Sequence, residues 1–259
     1  MSEQFVSKPW LVIPCYNEAG RLDEEQLVSL TQQMRVLLVD DGSTDSTYSL
    51  LTQLQDKSNG LIEVLQLQSN LGKGEAVRLG MLSALSKGAT EVGYADADFA
   101  TPANDLVWLH AALLSDEQLM CVLGSRWARL GAVVERSNAR HYLGRVFATL
   151  ASMMLKLGVY DTQCGAKWFR GSSLLVASLQ SGFISRWAFD VELIGRLYNG
   201  VGGEYGYEAG AFKELALTTW VDKPGSKIRF FDKLKVLIEL VQIAGYLRKL
   251  RRHRGTVPE

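Results

Sequence analysis

Two aspartates one residue apart, Asp96 and Asp98 of "YADADFATP", close an apolar run. Like charges at that spacing repel, so the pair makes chemical sense where a divalent cation lies between the carboxylates and a diphosphate. Hard oxygen ligands suit Mg²⁺ or Mn²⁺, which take one or two carboxylates and complete their shell with phosphate oxygens and water. A D-x-D triplet is common on solvated loops, and its weight here comes from a second acidic pair at the end of another apolar run, Asp40 and Asp41 of "VLLVDDGSTD". Turn chemistry accounts for part of that stretch, with Asp45 or Ser43 available to cap a following helix. Two adjacent aspartates exceed what a cap requires, and a carboxylate at a strand tip can accept from a ribose or from the N–H edge of a base. "NLGKGEAVRLG" is either a plain Gly-rich strand-to-helix turn or a loop that brings its backbone and Lys73 close to a nucleotide. It is neither the dinucleotide fingerprint nor the phosphate loop ending in Gly-Lys-Ser/Thr.

The elements that must hold these residues follow from the hydrophobic pattern. Short β-rich runs, "WLVIPCYN", "RVLLVDDG", "IEVLQL", "VGYADAD" and "MCVLGSR", alternate with helix-like segments at 22–34, 44–56, 72–86 and 104–115. That rhythm predicts successive βα units, a Rossmann-like, mostly parallel sheet flanked by helices. Ligands of such sheets sit beyond the carboxyl ends of the strands, where "CYNE", "DDGSTD", "DAD" and "GSR" all fall. Beyond Arg126 the pattern predicts a helix over 137–157, a strand "CGAKWF", a helix from Asp190 to Tyr198, a strand "LALTTWV" and a last amphipathic helix from Phe230. The expected organisation is one domain over 1–229, with a first half (1–126) that carries the acidic strand ends and a second half (127–229) that extends it on the acceptor side, followed by a basic helix and tail (230–259).

Composition narrows the class. The chain of 259 residues is 47% apolar, enough for a packed core, and its formal charge sums to zero. The balance is uneven: Lys227 to Arg254 holds nine Lys/Arg against Asp232 and Glu239, leaving the rest net negative by seven. A basic appendage on an acidic body gives no reason to expect a nucleic-acid partner. Cys15, Cys121 and Cys164 are too few and scattered for a disulfide framework or a zinc site, and His110, His141 and His253 stand apart. The N-terminus carries no signal pattern, and no apolar stretch approaches the roughly 18 residues of a membrane span. The expected location is the cytoplasm, at the cytoplasmic face of a membrane.

The ordered set "VIPCYNE", "VDDGSTDST", "NLGKGEAVRLG", "ADAD" and "GSR" resembles the family 2 glycosyltransferases, which have a GT-A fold and use nucleotide-diphosphate sugars. "ERSNARHYLGRVF", "YDTQCGAKWFR", "RWAFDVEL" and "TTWVDKPGSKIRF" are similar to the dolichyl-phosphate β-glucosyltransferase branch, close to the dolichol-phosphate mannose synthases, and the likeness runs from Pro9 to Phe231. The resemblance implies an inverting transfer of a hexose, glucose or mannose, from UDP-glucose or GDP-mannose to a polyprenyl phosphate. It implies that Pro14, Tyr16, Asn17 and Glu18 line the nucleotide pocket, that Asp41 contacts the base, that Lys73 approaches the nucleotide, that Asp96 binds the ribose or diphosphate, and that Asp98 holds the Mg²⁺ or Mn²⁺. Arg126 and Arg140 match arginines that grip the acceptor phosphate, a task suited to the planar guanidinium fork; the plain alternative is a solvated basic face. Asp190 stands at the usual position of the inverting carboxylate, with Asp161 as the second candidate and a helix N-cap as the structural alternative for either. Trp187 and Phe189 are available to stack on a sugar or to fill the core, and Cys164 reads as a packing residue.

Two segments bear on the lipid. "RVFATLASMMLKLGV" is apolar on most of its circumference, and "FFDKLKVLIELVQIAGYLRKLRRHR" ends with five Lys/Arg in the seven residues from Arg248 to Arg254. A basic amphipathic helix can lie in an anionic bilayer surface; the alternative is a core helix with a soluble tail. The resembled eukaryotic enzymes carry an N-terminal anchor not seen in this sequence, so a prokaryote-like form using undecaprenyl phosphate is the expectation. Three rival functions remain: transfer to a soluble or lipid-linked glycan; sugar nucleotidyl transfer, which wants a "GxGTRxxP"-like loop absent here; and non-catalytic nucleotide-sugar binding, which predicts a broken carboxylate set.

Overall fold

Along β1 (Trp10–Cys15), Leu11 and Ile13 point to one apolar cluster while Trp10 and Val12 point to another. β2 (Arg35–Asp40) does the same, dividing Val36 and Leu38 from Leu37 and Val39. Strands apolar on both sides belong in the middle of a sheet covered by helices on each face, and that is the architecture. The computed structural model describes residues 8–127, 133–135, 148–221 and 230–254.

β3 (Ile62–Gln66), β4 (Glu91–Ala95), β5 (Cys121–Ser125), β7 (Ala166–Arg170) and β10 (Phe212–Ala216) complete a seven-stranded sheet in the order β10-β5-β7-β4-β1-β2-β3. β1 pairs in parallel with both β2 and β4, β2 with β3, and β5 with β10. β7 runs antiparallel between β4 and β5, with Lys167 opposite Tyr94. Strands of both expected halves therefore share one sheet. β6 (Val133–Glu135) pairs in parallel with β11 (Thr219–Val221), and β8 (Gly200–Val201) forms a small hairpin with β9 (Glu204–Tyr205).

One face is covered by α1 (Glu24–Thr31), α2 (Thr47–Lys57) and α4 (Ala103–Leu114) through Leu27, Leu30, Leu51, Leu54, Leu106 and Leu109. The other is covered by α3 (Lys73–Ser86), α6 (Ser173–Gln180) and α7 (Phe189–Asn199) through Val77, Met81, Leu175, Phe189 and Leu193. The outer side of α7 meets α5, helical over 148–155, and α8 (Phe230–Arg254) in a third cluster that includes Leu155, Val191, Ile194, Leu240, Ile243 and Leu247.

The expected boundaries shift in four places for identifiable reasons. α1 is shorter than 22–34 because the Asp23 carboxylate caps it, accepting from Gln26 N. α5 stops where Lys156 adopts a left-handed φ of 55°; the expected stretch 137–147 lies outside the described residues. "LALTTWV" is not one strand: Asp105 of α4 accepts from the backbone N–H groups of Thr218 and Thr219, which turns the chain out of the main sheet before β11 begins. α6, not foreseen, is capped by Ser172, whose hydroxyl accepts from Leu175 N at 3.0 Å.

Candidate active site

At the carboxyl ends of β1 and β2 two loops are stitched together. Asn17 takes a left-handed φ of 51°, which its short amide tolerates. Its backbone N–H donates to Ser43 Oγ at 3.0 Å and its side-chain oxygen accepts from Thr44 N at 2.9 Å. Glu18 N donates to Thr47 Oγ1 at 2.8 Å, and Asp45 accepts from Thr47 N at 2.9 Å. The cap position of α2 is Ser46, which makes no side-chain capping bond; Asp45 instead forms a turn onto Thr47 just before the helix, and Ser43 ties the first loop to the second. Pro14 is the penultimate residue of β1, so Pro14, Tyr16, Asn17 and Glu18 form one wall of the rim.

Asp41 is buried, and its two oxygens accept from Leu71 N at 2.7 Å and Gly72 N at 2.9 Å. Its carboxylate therefore builds the "NLGKG" loop, whatever else it touches. Burial pushes its pKa up against those hydrogen bonds and the nearby Arg186 charge. From the other side Arg186 donates to Leu71 O at 2.8 Å and Asn70 O at 2.7 Å. Gly72 has φ 98°, and a Cβ there would overlap the Arg186 side chain, so only glycine lets the loop close against the arginine. The loop delivers Lys73 as the first residue of α3.

Lys73 pairs with Asp96 at the end of β4. Burial disfavours its charge, but Asp96, Asp190 and Asp98 outweigh that and hold its ammonium above the usual lysine range. One cation thus sits among three of the predicted carboxylates. Asp98 accepts from Ala100 N at 3.1 Å and faces Arg21 at 3.5 Å. Burial first, and the like charge of Asp96 second, push its carboxyl up. Gly165, just before β7, presents bare backbone to Asp96: a Cβ there would overlap its carboxylate.

At the carboxyl end of β5, Arg126, one residue past the strand, makes a fork to Asp161, Nε at 2.7 Å and Nη2 at 2.8 Å, and donates its backbone N–H to the same group. Burial opposes the guanidinium charge, yet Asp161 holds the pKa above the usual arginine value. Glu214 accepts from the backbone N–H groups of Tyr160 and Asp161, fixing the loop that presents this carboxylate. The two residues predicted for phosphate binding and base duty are therefore partners. Arg140 lies outside the described residues.

Asp190 is buried in the first turn of α7. Its Oδ1 accepts from Lys167 Nζ at 2.7 Å and from the Tyr94 hydroxyl. Burial and Asp190 push the Tyr94 phenol well up, so it stays a donor. Lys167 and Tyr94 face each other across the β4–β7 ladder and stand beneath Asp190 as a matched pair of donors. Phe189 is core, packed on Tyr94 and Phe183, while Trp187 is partly exposed beside the site. Cys164 is fully buried, and burial and Asp161 push its thiol up to about 11, which suits packing and not nucleophilic attack.

The structure thus brings Glu18, Asp41, Lys73, Asp96, Asp98, Arg126, Asp161 and Asp190 to one rim. Sequence reasoning missed Lys167, Tyr94, Gly165 and Arg186. Lys167 left one signal, a lysine in the apolar strand "CGAKWF"; Tyr94 and Gly165 are legible only once β7 is known to run antiparallel beside β4, and Arg186 only once its segment is known to lie against the 70–72 loop.

The model of the family described as Glycosyl transferase family 2 matches residues 10–175. The dolichyl-phosphate beta-glucosyltransferase of Mus musculus is 36% identical over 203 residues, 71% of this chain and 61% of that protein. The protein of the same name from Homo sapiens is 34% identical over 242 residues, 84% of this chain and 68% of that protein. The match spans about three fifths of the mouse relative's length. Among solved structures, S. aureus TarS 1-349 in complex with UDP superposes with a TM-score of 0.52 at 16% identity, covering 95% of this chain and 70% of that one. The mannosyltransferase PcManGT from Pyrobaculum calidifontis, in complex with GDP-Man and Mn²⁺, gives 0.50 at 18% identity, covering 98% and 78%. What is shared at these identities is the fold, a mostly parallel α/β sheet of the GT-A type.

Proposed function

The chain belongs to glycosyl transferase family 2, and from that premise we propose that it is an inverting hexosyltransferase moving glucose, with mannose in second place, from a nucleoside-diphosphate sugar to a polyprenyl phosphate. The observation that carries this reading is the meeting of Lys73, Asp96, Asp98 and Asp190 around one point at the strand ends, with the Arg126–Asp161 pair also on that rim. The curated relatives named dolichyl-phosphate beta-glucosyltransferase supply the choice of glucose and of a lipid phosphate.

In this reading the loop of Asn17 and Glu18, the Asp41-held "NLGKG" loop and Lys73 bind the nucleotide diphosphate, leaving the anomeric carbon toward Asp190. An acceptor phosphate oxygen forms the new bond to that carbon as the bond to the diphosphate breaks on the opposite side. Fixing the two in line removes much of the entropic barrier. The acceptor phosphate is already ionised near neutral pH, so no proton has to be removed from it. Asp190, saturated on Oδ1 by Lys167 and Tyr94, is suited to orienting the acceptor. Lys73 stabilises the charge that develops on the departing diphosphate.

The donor set fits a hard divalent cation. Asp96 and Asp98 offer only oxygen, and burial with mutual repulsion already pushes Asp98 toward its neutral form. Among the described residues no group of three or more His, Cys, Asp or Glu could hold a metal unaided, so a cation held by Asp98 and Asp96 would complete its shell from diphosphate and water. Bound there, Mg²⁺ or Mn²⁺ would supply charge neutralisation at the leaving group.

Among the described residues no helix is long and apolar enough to cross a membrane. α8 and α5 nevertheless expose Ile238 at 57%, Val241 at 69% and Met153 at 70%, and α8 continues into exposed Arg248, Lys249 and Arg252. This combination supports docking on an anionic bilayer surface, where the lipid acceptor resides.

The test is transfer of radiolabelled sugar from UDP-glucose and from GDP-mannose to a short polyprenyl phosphate, with Mg²⁺ or Mn²⁺. Metal-dependent label in the organic phase, lost in Asp98→Ala, is the expected result. Donor hydrolysis without a lipid product moves the acceptor to a soluble glycan, and absence of donor binding overturns the transferase reading.

A further inference from the structure

The segment 184–190 leads into α7 and carries Asp190, and it is tied on two sides. Arg186 grips the nucleotide loop through Asn70 O and Leu71 O, and its own carbonyl accepts from Gly74 N at 3.1 Å. One residue earlier, buried Ser185 accepts from Trp187 N at 3.2 Å and Ala188 N at 2.8 Å, which fixes the turn that leads into α7. The single proton of that hydroxyl goes to Glu239 Oε2 at 2.5 Å. A hydroxyl has one donor and two acceptor positions; sending its proton to Glu239 leaves both lone pairs to the backbone.

Glu239 lies on α8 and is itself buried, at 8% exposure. A helix that only coated a bilayer would have no use for a buried carboxylate on its inner face. α8 is seated there by Leu240, Ile243 and Leu247, the last against Gly195, where a Cβ would overlap it. The helix that presents Ile238 and Val241 outward therefore holds, by its opposite side, the segment that joins the donor loop to Asp190.

We propose that Glu239 is a positioning residue for the transfer: acting through Ser185, it makes the docked state of α8 set the placement of Asp190 and of the 70–74 loop. The kinetic consequence rests on the transferase reading above; the linkage itself does not.

The test compares full-length wild type, Glu239→Ala, Glu239→Gln, Ser185→Ala and the Glu239→Ala/Ser185→Ala double variant. Amide hydrogen exchange and steady-state transfer from UDP-glucose to a short polyprenyl phosphate are measured. Glu239→Ala is expected to speed exchange at Gly74, Trp187 and Ala188 and to lower kcat about tenfold, with a smaller effect on donor KM. Glu239→Gln, which keeps an acceptor oxygen, recovers most of kcat, and Ser185→Ala adds little to Glu239→Ala because both break one path. Unchanged exchange at those amides, unchanged kcat in Glu239→Ala, or losses in the two single variants that simply add would overturn the proposal. A wild-type chain with no transfer would overturn the functional reading instead, and exchange alone would then decide the linkage.

Discussion

Replacing Lys167 by Met is the sharpest probe of the site's foundations. Lys167 and Asp190 are almost fully enclosed, with side-chain exposures of 0% and 4%, so solvent cannot take over when one partner goes. Removing one member of a buried ion pair costs about 3–5 kcal/mol, because the other is left buried and uncompensated. The Tyr94 hydroxyl, which still donates to Asp190, places the expected loss at about 3 kcal/mol, the low end of that range. For a chain of this size each kcal/mol lowers the unfolding midpoint by roughly 2–4 °C, so a drop of roughly 6–12 °C is expected. The decisive comparison is Lys167→Met/Asp190→Leu, in which neither charge remains. Its stability should recover part of the loss, since buried ion pairs are often replaceable by apolar residues. It stays below wild type because the Tyr94 hydroxyl and the Cys164 carbonyl lose Asp190 and Lys167 as partners, and transfer should be abolished with Asp190 gone. Urea and thermal unfolding beside the transfer assay read both quantities. A Lys167→Met protein within about 1 kcal/mol of wild type, the contribution of an exposed pair, would refute the reasoning.

Other expectations follow from the same geometry. Gly165→Ala forces the Asp96 carboxylate aside and should cut turnover about a hundredfold, as misplacement on the order of 1 Å can, with the far-ultraviolet dichroism unchanged. Asp98 has a raised pKa in the folded chain, so folded protein binds its proton more tightly than unfolded protein, and this contribution to stability is full below the unfolded carboxylate range and lost as pH rises through the raised value. In chelator, Asp98→Asn should therefore be more stable than wild type at pH 7, the advantage vanishing below about pH 4; in Mn²⁺ only wild type should gain stability. Reversing exposed Ile238 and Val241 to Asp should leave the unfolding midpoint in place and reduce sedimentation with anionic vesicles. Neutralising Arg248, Lys249 and Arg252 together should weaken vesicle binding by about 3 kcal/mol at low salt.

What could be read from the sequence was what depends on local pattern. The alternation of Leu11 and Ile13 with Trp10 and Val12 announces a buried strand, and polar clusters just after such strands mark the ligand rim by topology alone. The Ser172 cap before "LLVASL" and the Gly202–Gly203 turn of the β8–β9 hairpin are equally local signals, though neither belongs to the strand-and-helix alternation that predicts the sheet. The strand "LALTTWV" failed for another reason: its break is imposed by Asp105, more than a hundred residues away in sequence. Arg126 and Asp161 were each singled out for separate tasks because nothing local says that they meet.

The least legible part is also the part that defines the chemistry. A parallel sheet built from βα units would place another strand of the same direction beside β4, with its end at the same rim. Here β7 enters from the rim and runs the other way, so its first residues, and not its last, line the site. That reversal is why Gly165 backs Asp96 and why Lys167, two residues into the strand, rises beneath Asp190 opposite Tyr94. It also gives Asp190 two donors before any substrate arrives. A carboxylate so satisfied is a poor candidate for drawing a proton from a neutral hydroxyl and a good one for shaping the approach of an acceptor that is already anionic. Two acceptors of matched lipid, one ending in phosphate and one in an alcohol, put this to the test. The phosphate should be glycosylated and the alcohol left untouched, and efficient transfer to the alcohol would mean that Asp190 acts as a base in spite of Lys167 and Tyr94.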